Sequence, residues 1–164
     1  MSQSIWGSIP MLVARGRIEN RQAIVRIGFQ PFALEAMDLR PASATLEIPV
    51  HEYRALIDTG AQRTCLSKSV IAQENLKAHG KLPIQNVHGI KRHYLYLVQI
   101  GFFCERVVSL NDTLGQSTYY GTPNPTEIID IADNHRFDAI IGMDFLSLFG
   151  FQIERDGSFS IRLD

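Results

Sequence analysis

At 164 residues, 45% of them hydrophobic, the chain is long enough to bury a core without disulfide or metal support, and short enough for one compact domain. Sixteen basic residues against 17 acidic ones leave a formal charge of −1, so the cationic surplus that attracts nucleic acid or anionic lipid is missing. Two cysteines, Cys65 and Cys104, make neither a disulfide framework nor paired zinc spacing; with no apolar run of about 18 residues and no basic-then-apolar leader pattern, a soluble cytoplasmic protein is expected.

The first two patterns, over 11–18 and 23–29, alternate as strands and are expected to pair through a turn at Glu19-Asn20-Arg21. The stretch 30–44, with Pro31 and Pro41, reads as loop or irregular edge. A second hairpin-like pair, 45–50 and 54–57, flanks His51-Glu52-Tyr53, and a short strand follows at 64–67. Ser67 is placed to cap a helix over 68–78, whose apolar residues are Val70, Ile71 and Leu76 and whose stop is Gly80. Two extended runs, 82–86 and 91–101, are joined through Val87-His88-Gly89-Ile90 as a hairpin with a glycine near its tip. Another strand is expected over 103–110, then a polar loop over 111–136. That length is unusual in a compact domain and belongs to functional or mobile segments. The chain closes with a short strand ending at Gly142, a helix over 144–149 stopped by Gly150, and two strands around an Asp156-Gly157 turn.

Residues 55–61 read Ala-Leu-Ile-Asp-Thr-Gly-Ala, an apolar strand that delivers Asp58 into a turn made by Thr59 and Gly60. Alone, such a tripeptide is most often an aspartate capping its own bend. Here it is followed at 137–146 by Phe-Asp-Ala-Ile-Ile-Gly-Met-Asp-Phe-Leu. Together the two motifs resemble the retropepsins, the single-domain homodimeric aspartic proteases of retroviruses and their cellular and bacterial relatives. The cellular branch typified by the eukaryotic DNA-damage-inducible proteins is most similar. The resemblance covers about 45–163 and leaves 1–44 as an N-terminal, strand-forming extension before a protease domain at 45–164.

What the resemblance implies is an all-β, closed or nearly closed acid-protease barrel with one or two short helices, whose active site lies at a homodimer interface. Two carboxyl groups within about 3 Å cannot both ionise, so the pair shares a proton and serves as base to a water and acid to a carbonyl. Since no second Asp-Thr-Gly or Asp-Ser-Gly exists in the chain, the second carboxylate must come from a second copy across a twofold axis. By resemblance, Thr59 bonds across that axis and Gly60 admits backbone close to the carboxylates. Ala61 and Gln62 border the substrate, and Val87, His88 and Gly89 form the tip of a flap over 85–94. Of Ile140 and Ile141, one lines a subsite and the other packs beneath the catalytic turn; the sequence does not say which. Gly142 permits a close crossing with the catalytic loop. The partners expected are a second copy and a polypeptide substrate.

Gln62, Arg63 and Met143 stand where retroviral members often carry acids and an arginine, so their ion-pair seam is missing. The strand 158–163 or the N-terminal extension is then expected to hold the dimer. Asp144 reads as a helix cap, Cys65 as a buried small hydrophobe rather than a redox switch, and His88 as a solvent-facing hairpin residue. Asp112, Glu127, Asp130 and Asp133 read as solvated surface. His79, His88 and His93 lack the spacing and carboxylates of a metal site, so neither metal nor cofactor is expected. The competing reading is a catalytically silent module that keeps the fold for peptide binding or dimerisation.

Overall fold

The computed structural model describes residues 10–31, 50–110, 112–113 and 115–164. The strand expected over 45–49 and nearly all of the 30–44 stretch lie outside them. The first hairpin forms as expected from β1 (Met11–Glu19) and β2 (Gln22–Pro31). Asn20 and Arg21 both take positive φ, 51° and 63°, the mirror-image turn whose twist matches that of the strands it joins. Only Ile18↔Ala23 and Glu19↔Gln22 pair directly. Beyond them the strands diverge, β1 to pair with the chain's last strand and β2 to pair with β3 (Tyr53–Ile57).

After β3 come β4 (Cys65–Ser67) and α1 (Lys68–Gln73), a shorter helix than the sequence suggests. Its stop is Asn75 at φ 51° rather than Gly80. The Asn75 N–H donates to Ala72 O and the Leu76 N–H to Ile71 O, which together close a Schellman motif with asparagine in the left-handed position. Ser67 makes no capping bond; the Ser69 N–H is satisfied by Asp133 Oδ1 at 2.9 Å. Ala78 already belongs to β5 (Ala78–Asn86).

The spine of the fold is β6 (Gly89–Val107), which runs without the break expected after residue 101. Gly101 leaves a slot on the sheet, and the Tyr119 ring fills it: a side chain there would meet Tyr119 Oη at 2.1 Å. Tyr96, Val98, Ile100, Phe102 and Cys104 alternate into the core, the two-residue period of a strand with one face buried. Along its length β6 pairs with β5, with β2 and β1, and with two strands inside the supposed loop, β7 (Gln116–Gly121) and β8 (Thr126–Ile131).

The chain ends with β9 (Ala139–Ile141), α2 (Met143–Leu146), β10 (Gly150–Ile153) and β11 (Ser158–Arg162). The strand path is β10-β11-β1-β2-β3-β9-β4-β8-β6-β5, and the bonds from β6 back to β1 and β2 close the sheet on itself around one hydrophobic core. This is the expected all-β barrel with two short helices. β11 is bonded on both edges, to β1 and β10, while β1 pairs with β11 along one edge and with β6 and β2 at the two ends of the other. Among the described strands the outermost at that end is β10.

Candidate active site

β3 and β9 lie parallel, with Ala55↔Ala139, Leu56↔Ile140 and Ile57↔Ile141 in register. The two sequence motifs are thus neighbours in one sheet. Their start is locked by Asp138, whose Oδ2 accepts the Arg54 N–H at 2.9 Å while its own N–H donates to Arg54 O at 2.8 Å. The alternation of β3 buries Tyr53, Ala55 and Ile57. Of the two isoleucines left open by the sequence, Ile141 is fully buried in the core and Ile140 is half-buried, so Ile141 is the packing residue.

The register carries Asp58 to the end of β3, where its N–H donates to Ile141 O at 3.1 Å. Its carboxylate Oδ1 accepts the Gly60 N–H at 2.9 Å, and its carbonyl accepts the Ala61 N–H at 3.2 Å. Asp58 is half-buried, Thr59 and Gly60 are exposed, Ala61 is half-buried and Gln62 is exposed. The turn therefore presents its carboxylate at the surface of this single chain.

The loop beyond the turn is bonded step by step to residues 142–144. Ala61 O accepts from Met143 N at 2.8 Å, and Gln62 O from Asp144 N at 3.2 Å. Gly142 is required for this crossing, because a Cβ there would lie 2.6 Å from Arg63 C and 2.7 Å from Arg63 O. Asp144 does not cap α2, whose N-cap Gly142 carries no side-chain bond. Instead its two carboxylate oxygens accept from Thr64 N and Thr64 Oγ1, at 2.9 and 2.8 Å. A hydroxyl that itself needs an acceptor and a buried backbone N–H win the carboxylate over the helix end, whose first N–H groups already bond Ala61 O and Gln62 O.

The β5–β6 hairpin narrows to Asn86↔Gly89. Its two-residue turn is Val87-His88, with Gly89 at φ +117° and the His88 N–H bonded to Asn86 Oδ1 at 2.9 Å. Val87 is 94% and Ile90 73% exposed, and His88 and Gly89 are exposed beside them. The hairpin's root is pinned by the acids read as solvated surface. Asp130 is buried; its Oδ1 accepts from Tyr94 N at 2.8 Å, and its carbonyl lies 2.7 Å from His93 Nδ1. Glu127 pairs with both Arg63 and His79, at 3.2 and 3.4 Å, which ties the loop after Asp58 to β5. Asp112 accepts the Val108 and Ser109 N–H groups.

Of the four acids only Asp130 is buried; Asp133 is exposed as expected, and Asp112 and Glu127 are half-buried while bonded to the fold. The signal that could have found β8 is its run Glu-Ile-Ile-Asp-Ile at 127–131, an acid inside a β-branched segment. Burial pushes the Cys65 thiol up to about 12, with the charges of Asp144, Asp130 and Asp58 adding to the effect. It is a buried thiol, as the sequence suggests.

No protein-family model matches the chain, and no curated protein is similar to it in sequence. Among solved structures it is similar to a retropepsin-like aspartic protease from Rickettsia conorii, at 9% identity over 94% of both chains and with a TM-score of 0.52. The retroviral protease-like domain of Ddi1 from Leishmania major matches at 15% identity over 65% of this chain and 74% of that one, with a TM-score of 0.34. The chain has a retropepsin-like fold. The likeness over 94% of the chain reaches into residues 1–44, further than the two motifs alone suggest.

Proposed function

We propose that this chain is an aspartic endopeptidase that acts as a homodimer, each copy supplying one Asp58. The observation that carries the reading is the setting of that carboxylate. It ends a core strand, is held by the Gly60 N–H, and sits half-buried at the surface of a retropepsin-like fold. One such turn per chain is half of an acid–base pair.

In the dimer the two Asp58 carboxyls share a proton. One takes a proton from a water and the other donates to the peptide carbonyl oxygen, giving a tetrahedral intermediate without an acyl-enzyme. Thr59 faces the twofold axis, while Ala61, Gln62 and the half-buried Ile140 border the substrate. The hairpin 85–94, with the apolar Val87 and Ile90 at its tip and Gly89 turning it, closes over an extended peptide and excludes bulk water. The seam runs along β10, the end strand of the path, where Ile153 is 55% and the nearby Leu148 65% exposed.

Purified protein is expected to cleave unfolded polypeptide at mildly acidic pH. Asp58→Asn is expected to abolish cleavage while leaving the circular dichroism spectrum unchanged. Full activity in the Asn variant, or activity from a strict monomer by sedimentation, defeats the reading.

A further inference from the structure

We infer that Thr64, held by Asp144, is a positioning residue that sets where Asp58 is presented. The inference deepens the protease reading and rests on it for the chemistry, although the clamp itself is a feature of the fold.

Thr64 is fully buried, and its hydroxyl is used in both directions. The Gly142 N–H can only donate, and it donates to Thr64 Oγ1 at 3.1 Å. The hydroxyl hydrogen is then committed to Asp144 Oδ1 at 2.8 Å, while Asp144 Oδ2 takes the Thr64 N–H at 2.9 Å. The result is a directional chain from the backbone of Gly142, through the side chain of Thr64 three residues beyond the first motif, to the carboxylate of Asp144. Each bond in such a chain polarises the next, and the carboxylate end makes it charge-assisted.

The loop 58–64 is otherwise fastened to 141–144 by main-chain bonds alone, at Asp58–Ile141, Ala61–Met143 and Gln62–Asp144. Those bonds limit the separation of the two segments. The loop's far end runs into β4, whose Cys65 and Leu66 pair with Ile140 and Ala139, and the Thr64 clamp adds the side-chain tie that fixes the loop against Gly142 and Asp144. Asp58 is thus held between Ile141 O at one end of the loop and the Thr64 hydroxyl at the other. A pair of carboxyls that must share one proton across a dimer axis tolerates little play, and misplacement by about 1 Å costs on the order of a hundredfold in rate.

The test compares Thr64→Val, which keeps the shape and deletes the hydroxyl, with Thr64→Ser, which keeps the hydroxyl. Both are assayed by steady-state cleavage of an unfolded polypeptide, with rates expressed per folded dimer from circular dichroism and sedimentation. The expected result is a kcat lowered about 10- to 100-fold in the Val variant with KM within about twofold, and a Ser variant within about threefold of the parent. A kcat per folded dimer equal to the parent's in Thr64→Val overturns the inference, as does an equal loss in Thr64→Ser. If the parent chain cleaves nothing, the protease reading fails separately, and amide hydrogen exchange decides the clamp. Faster exchange at Asp58 and Gly142 in Thr64→Val, restored in Thr64→Ser, supports it; unchanged protection overturns it.

Discussion

Replacing Gly142 by alanine isolates the crossing on which the site depends. Gly142 has φ −90° and ψ 179°, a conformation that alanine adopts freely, so the backbone imposes no penalty. Taken alone, the substitution should stabilise the protein by about 0.4–1 kcal/mol through the unfolded chain. The opposing effect is steric. The new methyl would stand 2.6, 2.7 and 2.9 Å from the C, O and N atoms of Arg63, where carbon contacts relax only near about 3.5 Å. Those are backbone atoms, so no side chain can rotate away and the loop must retreat by most of an ångström. Overpacking of this kind costs about 1–3 kcal/mol, which exceeds the entropic gain. The net loss of about 1–2 kcal/mol corresponds to a Tm lower by roughly 2–8 °C for a domain of this size. Because the retreat moves the loop that carries Asp58, cleavage per folded dimer should fall by about tenfold or more. Thermal melts followed by circular dichroism, with a cleavage assay well below Tm, measure both. An alanine variant that melts at or above the parent's temperature with undiminished cleavage would refute the close crossing.

Ile153→Lys places a charge on the exposed face of β10 and should weaken the dimer at least tenfold in sedimentation equilibrium while leaving the monomer folded; unchanged association excludes that strand from the seam. Alkaline pH should destabilise the fold through its thiols. Cys65 is raised from 9.0 to about 12, so its contribution is complete below pH 9 and is lost as pH rises from 9 towards 12, when the unfolded chain ionises first. At about 1.4 kcal/mol per pH unit the effect cannot exceed about 4 kcal/mol. Cys104, raised to about 11 by burial, loses its contribution between pH 9 and 11. Urea titrations from pH 8 to 11 should show falling stability with a shallower slope in Cys65→Ala, and an equal slope in that variant would contradict the burial argument. Native protein should also resist thiol alkylation at pH 8, where rapid labelling of Cys65 would place it at the surface.

The all-β class followed from the resemblance of the two motifs, while the Asn20-Arg21 hairpin, the Val87-His88 hairpin and the terminal Asp156-Gly157 turn were legible because each rests on local chemistry: two-residue alternation, or a residue suited to a tight turn. Misreadings came where a local signal had a tertiary competitor. Gly101 looks like a break until Tyr119 covers it, and Gly80 looks like a helix stop although Asn75 ends the helix first. The stretch 111–136 looks like a loop because its glycines and prolines outweigh two six-residue strands, whose stability comes from pairing with β6. Acids look solvated whenever their partners are distant in the chain. Asp130 meets Tyr94, Glu127 meets Arg63, and Asp144 meets Thr64 only once the sheet has closed.

By itself the sequence singled out Asp58-Thr59-Gly60 as the candidate site, and its single occurrence raised the expectation of a second copy, because residue type and immediate neighbours are local properties. The tertiary structure alone decided how that turn is held. The pairing of β3 with β9, the packing of Gly142 against Arg63, and the Thr64–Asp144 clamp all join residues about 80 positions apart. No local pattern encodes such contacts, since directional bonds between distant segments exist only after the core has brought their backbones together.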